Sequence, residues 1–216
     1  MPLRLLLIRH GLSSFNRENR IQGRTDLSTL TEEGLLQAEK AGKALEKLSI
    51  QAIYTSPLQR ALETAKAIAK SRIKKIDPII DNDLLEVDLA PWSGLTIDEV
   101  KEKYPDSYRV WAKNPESLTI KKEDGTSYKP IKDLFSQAER FLEKIIKIHN
   151  PEKNETILVV GHNAILRCLI LKLLNKPKEG FRRIKLDNSS ISILNISSKK
   201  EDKIEVQIES LNNTAH

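Results

Sequence analysis

The 216-residue chain has one cysteine, one methionine and only 5% aromatic residues. A lone Cys168 excludes an internal disulfide framework and points to a reducing compartment. It sits among Ile165, Leu166, Leu169, Ile170 and Leu173 in an apolar helical stretch, where a thiol reads as a packing group. No apolar run approaches the roughly 18 residues of a membrane span, and the N-terminal run is too short for a signal peptide. A cytoplasmic protein with no membrane partner is the expectation. Neither a Walker A sequence nor Gly-x-Gly-x-x-Gly is present, which leaves nucleotide binding without support. The net charge is +6, but the lysines are scattered through helical patterns with few aromatics between them. That describes a solvated basic surface, and nucleic acid is not an expected partner. His149 and His216 lack metal-ligand spacing relative to the other histidines, so surface positions, no metal and no cofactor are expected. There is no internal repeat, low-complexity tract or convincing domain boundary.

What is present suits a globular chain: 39% hydrophobic and 31% charged residues. Residues 1–216 are read as one α/β domain, and nothing demands more than a monomer or homodimer. Leu3 to Arg9 is an apolar run without clean alternation, which predicts a strand covered on both faces in a mostly parallel sheet. Thr31 is a plausible N-cap for a helix with Leu35, Ala38, Gly42 and Leu45 on one face, ending near Leu48. Ala52 to Thr55 reads as a second strand. Ser56-Pro57 then starts a helix, Ser at the cap and Pro at the first helical position, with Leu58, Ala61, Leu62, Ala65 and Ile68 as its apolar stripe. Ile76 to Ile80 is a third strand. From about residue 81 to 130 the chain is irregular with short helices, the pattern of a functional insertion lining a pocket. A helix returns over Ile131–His149, a strand over Thr156–Val160 and a helix over Ala164–Leu174. Ser190–Ile196 and Ile204–Ile208 form a terminal hairpin across a turn at Ser197–Lys203.

Three strand ends therefore carry His10, then Ser56 with Arg60 in the next helical turn, then His162. In a right-handed parallel sheet those ends lie along one edge, where ligands bind. Two His and two Arg (Arg9 and Arg60) beside helix N-termini suit a phosphate, whose oxygens match guanidinium forks. The expected partner is a small anionic phosphorylated metabolite.

These residues lie in longer stretches: Arg9-His10-Gly11-x-Ser13-x-x-Asn16, Gln22-Gly23-Arg24-x-Asp26, Ser56-x-Leu58-x-Arg60-Ala61, Leu85-Glu86-x-Asp88, Gly161-His162-Asn163-Ala164 and Leu186-x-Asn188-Ser189-Ser190. Together they resemble the signature of the histidine phosphatase superfamily, the phosphoglycerate mutase-like branch. The resemblance implies a three-layer α/β/α fold and transient phosphorylation of His10. Arg9, Arg60 and His162, as an imidazolium, would hold the phosphoryl oxygens, with Asn16, Gln22, Gly23 and Asn163 around the substrate. Glu86 would move protons, with Asp88 as a competitor two residues on. It further implies a metal-independent phosphomonoesterase acting on a sugar or sugar-acid phosphate, a histidine acid phosphatase type of hydrolase.

Mutases of the superfamily follow the second-motif Gly with Trp, and place Glu-Arg-His-Tyr-Gly around the acid and Gly after the second His. Arg24, Leu84-Leu85-Glu86-Val87-Asp88 and Asn163 stand at those places and favour a phosphatase over a phosphoglycerate mutase. The longer loop Asp26 to Leu30, Trp111, Asn114-Pro115 and Tyr128-Lys129-Pro130 are similar to 2-carboxyarabinitol-phosphate phosphatase members. The remaining alternatives are a non-catalytic phosphate-binding homologue and a metal-dependent aspartyl phosphatase built on Asp81-Asn82-Asp83, which lacks the usual Thr or Val at Leu85. A cysteine phosphatase is excluded because Leu174 stands where the Arg six residues after its cysteine should be.

Overall fold

A computed structural model describes residues 2–122, 124–176, 178–198 and 204–216. In chain order these form β1 (Leu3–Arg9), α1 (Ser14–Arg17), α2 (Glu32–Ala44), β2 (Ala52–Thr55), α3 (Gln59–Lys70) and β3 (Ile79–Ile80). There follow α4 (Ile97–Lys103), α5 (Pro105–Lys113), β4 (Ile120–Lys121), β5 (Ser127–Tyr128) and α6 (Pro130–Ile148). β6 (Thr156–Gly161), α7 (Asn163–Leu173), β7 (Ile191–Ser198) and β8 (Ile204–Asn213) complete the order. The central sheet runs β3-β2-β6-β1-β7-β8, and β4-β5 is a separate small hairpin. β1, β2, β3 and β6 are mutually parallel, while β7 and β8 add an antiparallel edge.

Side chains of β1 divide by the two-residue period of a strand. Leu6 and Ile8 pack with Ala41, Ala61, Ala65 and Ile68 of α2 and α3, whereas Leu3, Leu5 and Leu7 join a core with Leu134, Phe141, Ile145, Ile165 and Leu169 of α6 and α7. The expected unbroken apolar run is thus a strand buried on both sides, giving three layers. Register places the site: Arg9 pairs with Gly161, Thr55 with Val160, and the His10 amide donates to the Gly161 carbonyl at 2.9 Å. The carboxyl ends of β1, β2 and β6 therefore lie side by side.

Several local expectations are corrected. α2 buries Gly34, Ala38, Ala41 and Gly42, and Leu35 is 44% exposed. The helix turns its smallest residues inward because it lies close on α3, where a Cβ on Gly42 would come within 3.0 Å of the Ile68 Cα. α3 starts at Gln59, with Leu58 as an N-cap that makes no side-chain bond; Ser56 stands one turn before it, accepting from the Leu58 amide at 3.3 Å while bonded to His162. The third strand shrinks to Ile79–Ile80, while the terminal hairpin extends to Ser198 and Asn213. Ser197 and Ser198, expected in its turn, belong to β7, and residues 199–203 lie outside the described residues. His149 is no surface residue: it is 7% exposed, and its Nε2 and Nδ1 meet the Tyr54 hydroxyl at 2.8 Å and Glu155 at 2.5 Å. His216 is only partly exposed. Cys168 is fully buried, and burial pushes its thiol well up, as suits a packing residue.

Candidate active site

His10 ends β1 at the point where the chain must turn. Gly11 makes that turn possible by lying against the first turn of α2, where a Cβ would meet the Gly34 carbonyl oxygen at 2.3 Å. The loop is fastened from several sides. Thr31 donates through both its amide and its hydroxyl to the Leu12 carbonyl, each at 2.9 Å. The Leu12 amide donates to Gln37 at 3.0 Å, and Asn188 donates to the His10 and Gly11 carbonyls and to Asn16.

The His10 ring is 2% exposed, and its Nδ1 lies 2.8 Å from the Gly11 carbonyl oxygen. A carbonyl can only accept, so Nδ1 carries the proton and Nε2 presents its lone pair. The His162 ring stands edge-on to it, centroids 5.1 Å apart. Its Nε2 is hydrogen-bonded to Ser56 at 2.8 Å, while its Nδ1 is buried without a partner. Arg60 is fully buried in the first turn of α3 and donates to the Thr25 and Gly23 carbonyls, both at 2.8 Å. Gly23, at φ +51°, is in the left-handed region that favours glycine. Arg9 donates to the Leu186 carbonyl at 2.8 Å. Both guanidiniums keep a buried Nε with no acceptor.

Glu86 faces the N-terminus of α7, accepting from the Ala164 amide at 3.2 Å and the Ile165 amide at 3.3 Å. The unpaired N–H groups of a helix start supply these donors. Asp88 instead accepts from the Ala90 amide and does not line the cavity. That cavity is about 230 Å³ and is walled by Arg9, His10, Asn16, Gln22, Gly23, Arg60, Glu86 and Asn163. The cavity thus gathers the candidates proposed from sequence except Asp88 and His162, and the His162 ring stands beside that of His10. The insertion supplies Glu86, Val87, Leu89 and Trp111 to the wall. A larger hollow of about 1030 Å³, lined by Trp92, Tyr104, Lys121 and Tyr128, contains none of these groups.

Among the wall residues that sequence reasoning did not propose for the site are Arg20, Arg167, Phe181 and Arg182. Arg167 lies four residues past Asn163 and so on the same helix face. No local pattern marks Arg182. Among the described residues, no group of three or more His, Cys, Asp or Glu side chains is placed to hold a metal ion. No described helix is long and apolar enough to cross a membrane.

The model of the histidine phosphatase superfamily (branch 1) matches residues 5–209. The chain belongs to the histidine phosphatase superfamily. Among its relatives within this superfamily, 2-carboxy-D-arabinitol-1-phosphatase of Triticum aestivum is 37% identical over 194 residues, 90% of this chain but 37% of the wheat protein. The chain likewise spans 37% of the length of the Arabidopsis thaliana relative called a probable 2-carboxy-D-arabinitol-1-phosphatase. Phosphoserine phosphatase 1 of Hydrogenobacter thermophilus is 31% identical over 206 residues, 95% of this chain and 92% of the relative. Among solved structures, Bacillus stearothermophilus YhfR superposes with a TM-score of 0.82 at 30% identity, covering 98% of each chain. A mycobacterial glucosyl-3-phosphoglycerate phosphatase, at 23% identity and TM-score 0.81 over 97% of this chain and 98% of that one, shares the fold.

The charge state of the cage follows from its burial. Desolvation first, then Arg60 and Arg9, push His10 well below the ordinary imidazole value. Desolvation, Arg60, His10 and Arg9 do the same to His162. Both rings are neutral in the folded protein near pH 6.5 and somewhat below, where unfolded imidazoles take up protons. The unfolded state then binds more protons, so stability is complete above about pH 6.5 and declines as pH falls from there toward the depressed folded-state values. Each ring's loss approaches about 1.4 kcal/mol per pH unit once the unfolded imidazole is mostly protonated. Urea titrations between pH 7.5 and 5.5 are expected to show this decline, and His10→Asn to make it shallower. Equal slopes in the two proteins would contradict the assigned neutrality.

Proposed function

We propose that the protein is a metal-independent phosphomonoesterase that hydrolyses a small phosphorylated metabolite, a sugar or sugar-acid phosphate, through a phosphohistidine at His10. The observation that carries this reading is the free Nε2 of a buried, neutral His10, fixed by its Nδ1 bond to Gly11 within a cage of two unsatisfied guanidiniums. Catalysis of phosphoryl transfer needs in-line positioning and offset of the charge on the equatorial oxygens. Arg9 and Arg60 supply that charge, each already oriented by backbone carbonyls.

His162 takes part as a neutral ring rather than the imidazolium read from sequence. Ser56 Oγ accepts from the Leu58 amide and has its own proton to give to His162 Nε2. In that tautomer Nδ1 carries a hydrogen that has no acceptor within the protein.

In the first half-reaction the His10 Nε2–P bond forms and the P–O ester bond breaks, while Glu86 in its acid form protonates the departing alkoxide. In the second, Glu86 as carboxylate takes a proton from water as the oxygen attacks phosphorus. The N–P bond then breaks, releasing inorganic phosphate and restoring His10. Position favours Glu86 over Asp88 for this role, since only Glu86 lines the cavity.

Purified protein in excess chelator, assayed against phosphorylated sugars, sugar acids and amino acids, tests the reading directly. Retained turnover with an acid-labile phosphoryl label is the expected result. Complete loss of activity in chelator, restored by a divalent metal, would falsify it. Glu86→Gln is expected to slow alkyl phosphates by about 10²–10⁴-fold but nitrophenyl phosphate far less, because nitrophenolate leaves without a proton. Equal slowing of both substrates moves the acid role to Asp88.

A further inference from the structure

The cavity holds more positive charge than a phosphate consumes. Four guanidiniums, from Arg9, Arg60, Arg167 and Arg182, share it with one carboxylate, Glu86. Arg20 also lines it but is paired with Glu18 at 2.8 Å and Glu99 at 3.6 Å. With Glu86 in the acid form that the first half-reaction needs, a phosphomonoester dianion offsets two of the four guanidinium charges and leaves two. Those residual charges belong to Arg167 and Arg182, because Arg9 and Arg60 flank His10.

These two side chains are held ready on an aromatic wall. The Arg167 guanidinium lies 5.3 Å from the Phe181 ring centroid, and Phe181 meets Trp111 edge-on at 6.2 Å. Trp111 in turn lies 5.0 Å beneath the Arg182 guanidinium and accepts a hydrogen bond from it at its backbone carbonyl. Stacking engages the faces of a guanidinium and leaves its N–H edge for an oxygen anion. Arg167 has no hydrogen-bonding or ion-pair partner among the described residues, and its Nε is buried. Burial pulls it below the ordinary arginine value against the pull of Glu86, with Arg182 and Arg9 adding to the depression. It is a cation short of an anion.

Resting on the phosphomonoesterase reading, we propose that Arg167 and Arg182 form a second anion subsite that takes the carboxylate of the substrate. The preferred esters are then compact phosphorylated carboxylic acids rather than phosphorylated neutral sugars or polyols. The planar fork of Arg matches a carboxylate with two parallel N–H···O bonds. The cavity of about 230 Å³ is smaller than the roughly 300–1,000 Å³ of drug-sized sites, so few carbons separate the two anions.

The test compares 3-phosphoglycerate with glycerol 3-phosphate, which differ by a carboxylate in place of a hydroxymethyl group. The expected kcat/KM ratio is at least tenfold in favour of the acid, expressed mainly in KM, and it falls toward one in Arg167→Met or Arg182→Met. Arg182 is exposed, so its variant serves even if Arg167→Met folds poorly. A wild-type ratio near one, or a preference unchanged in both variants, overturns the subsite. Calorimetric binding of the same two ligands to His10→Ala reads the subsite without turnover. If no ester is hydrolysed but the acid still binds at least tenfold tighter, the phosphomonoesterase reading falls and the subsite stands; equal binding overturns the subsite.

Discussion

His10→Ala is expected to lose turnover by on the order of 10⁴-fold or more on every substrate, and to acquire no phosphoryl label. The size of the loss follows from the geometry. Only His10 offers a neutral, correctly tautomerised lone pair in the cage, since the Nε2 of His162 is occupied by Ser56. Replacing the ring deletes the atom to which phosphorus would bond, whereas removing one guanidinium leaves the other to hold the anion. The variant should remain folded, because the loop after β1 is also fixed by Thr31, Gln37 and Asn188, and Asn188 still bonds the Gly11 carbonyl that the imidazole would leave. Steady-state kinetics with circular dichroism as a folding control decide it. A variant that keeps most of the wild-type rate removes His10 as nucleophile and returns the cage to the role of a phosphate-binding site.

Gly34→Ala is expected to destabilise the protein, against the usual sign of the change. In an exposed helix interior alanine is favoured over glycine by about 1 kcal/mol. Here the added Cβ would come within 2.1 Å of the Leu12 carbonyl oxygen and 2.7 Å of the Leu12 amide nitrogen. Both are backbone atoms, held by bonds to Thr31 and Gln37, so they cannot swing aside as a flexible side chain would. Overpacking of this kind costs about 1–3 kcal/mol, a fall in Tm of roughly 2–12 °C for a chain of this size. Leu12 is two residues past the nucleophile, so kcat should fall as well through displacement of His10. An unchanged or higher Tm in thermal denaturation would show that the contact between this loop and α2 is slack.

Some features were legible because they rest on local chemistry. The run Leu3–Ile8 had to be a strand covered twice, since both of its faces are apolar, and strands of that kind are parallel with ligands at their carboxyl ends. That rule was enough to group His10, Arg60 and His162. Where the reading failed, a distant partner had overridden a local preference. Ser56-Pro57 has the chemistry of a helix start, and Ser56 does accept from the Leu58 amide, but its hydroxyl also serves His162, 106 residues away, and the helix begins only at Gln59. Leu35 continues an apolar stripe, yet α2 buries Gly34, Ala38, Ala41 and Gly42 because close helix approach rewards small side chains over greasy ones. His149 reads as solvated, but Tyr54 and Glu155 satisfy both of its nitrogens inside the protein.

The residues of this sequence by themselves determined the alternation of strands and helices and the strand-end positions of the phosphate-binding groups, because periodicity and residue chemistry are written locally. Only the tertiary structure decided which tautomer His10 adopts, that Glu86 rather than Asp88 faces the cavity, and that Arg167 and Arg182 stand together on a wall made by Trp111 and Phe181. The tautomer rests on a bond to the neighbouring Gly11, whose carbonyl the packed loop aims at the ring; the other two depend on contacts between segments tens of residues apart, which no local pattern specifies.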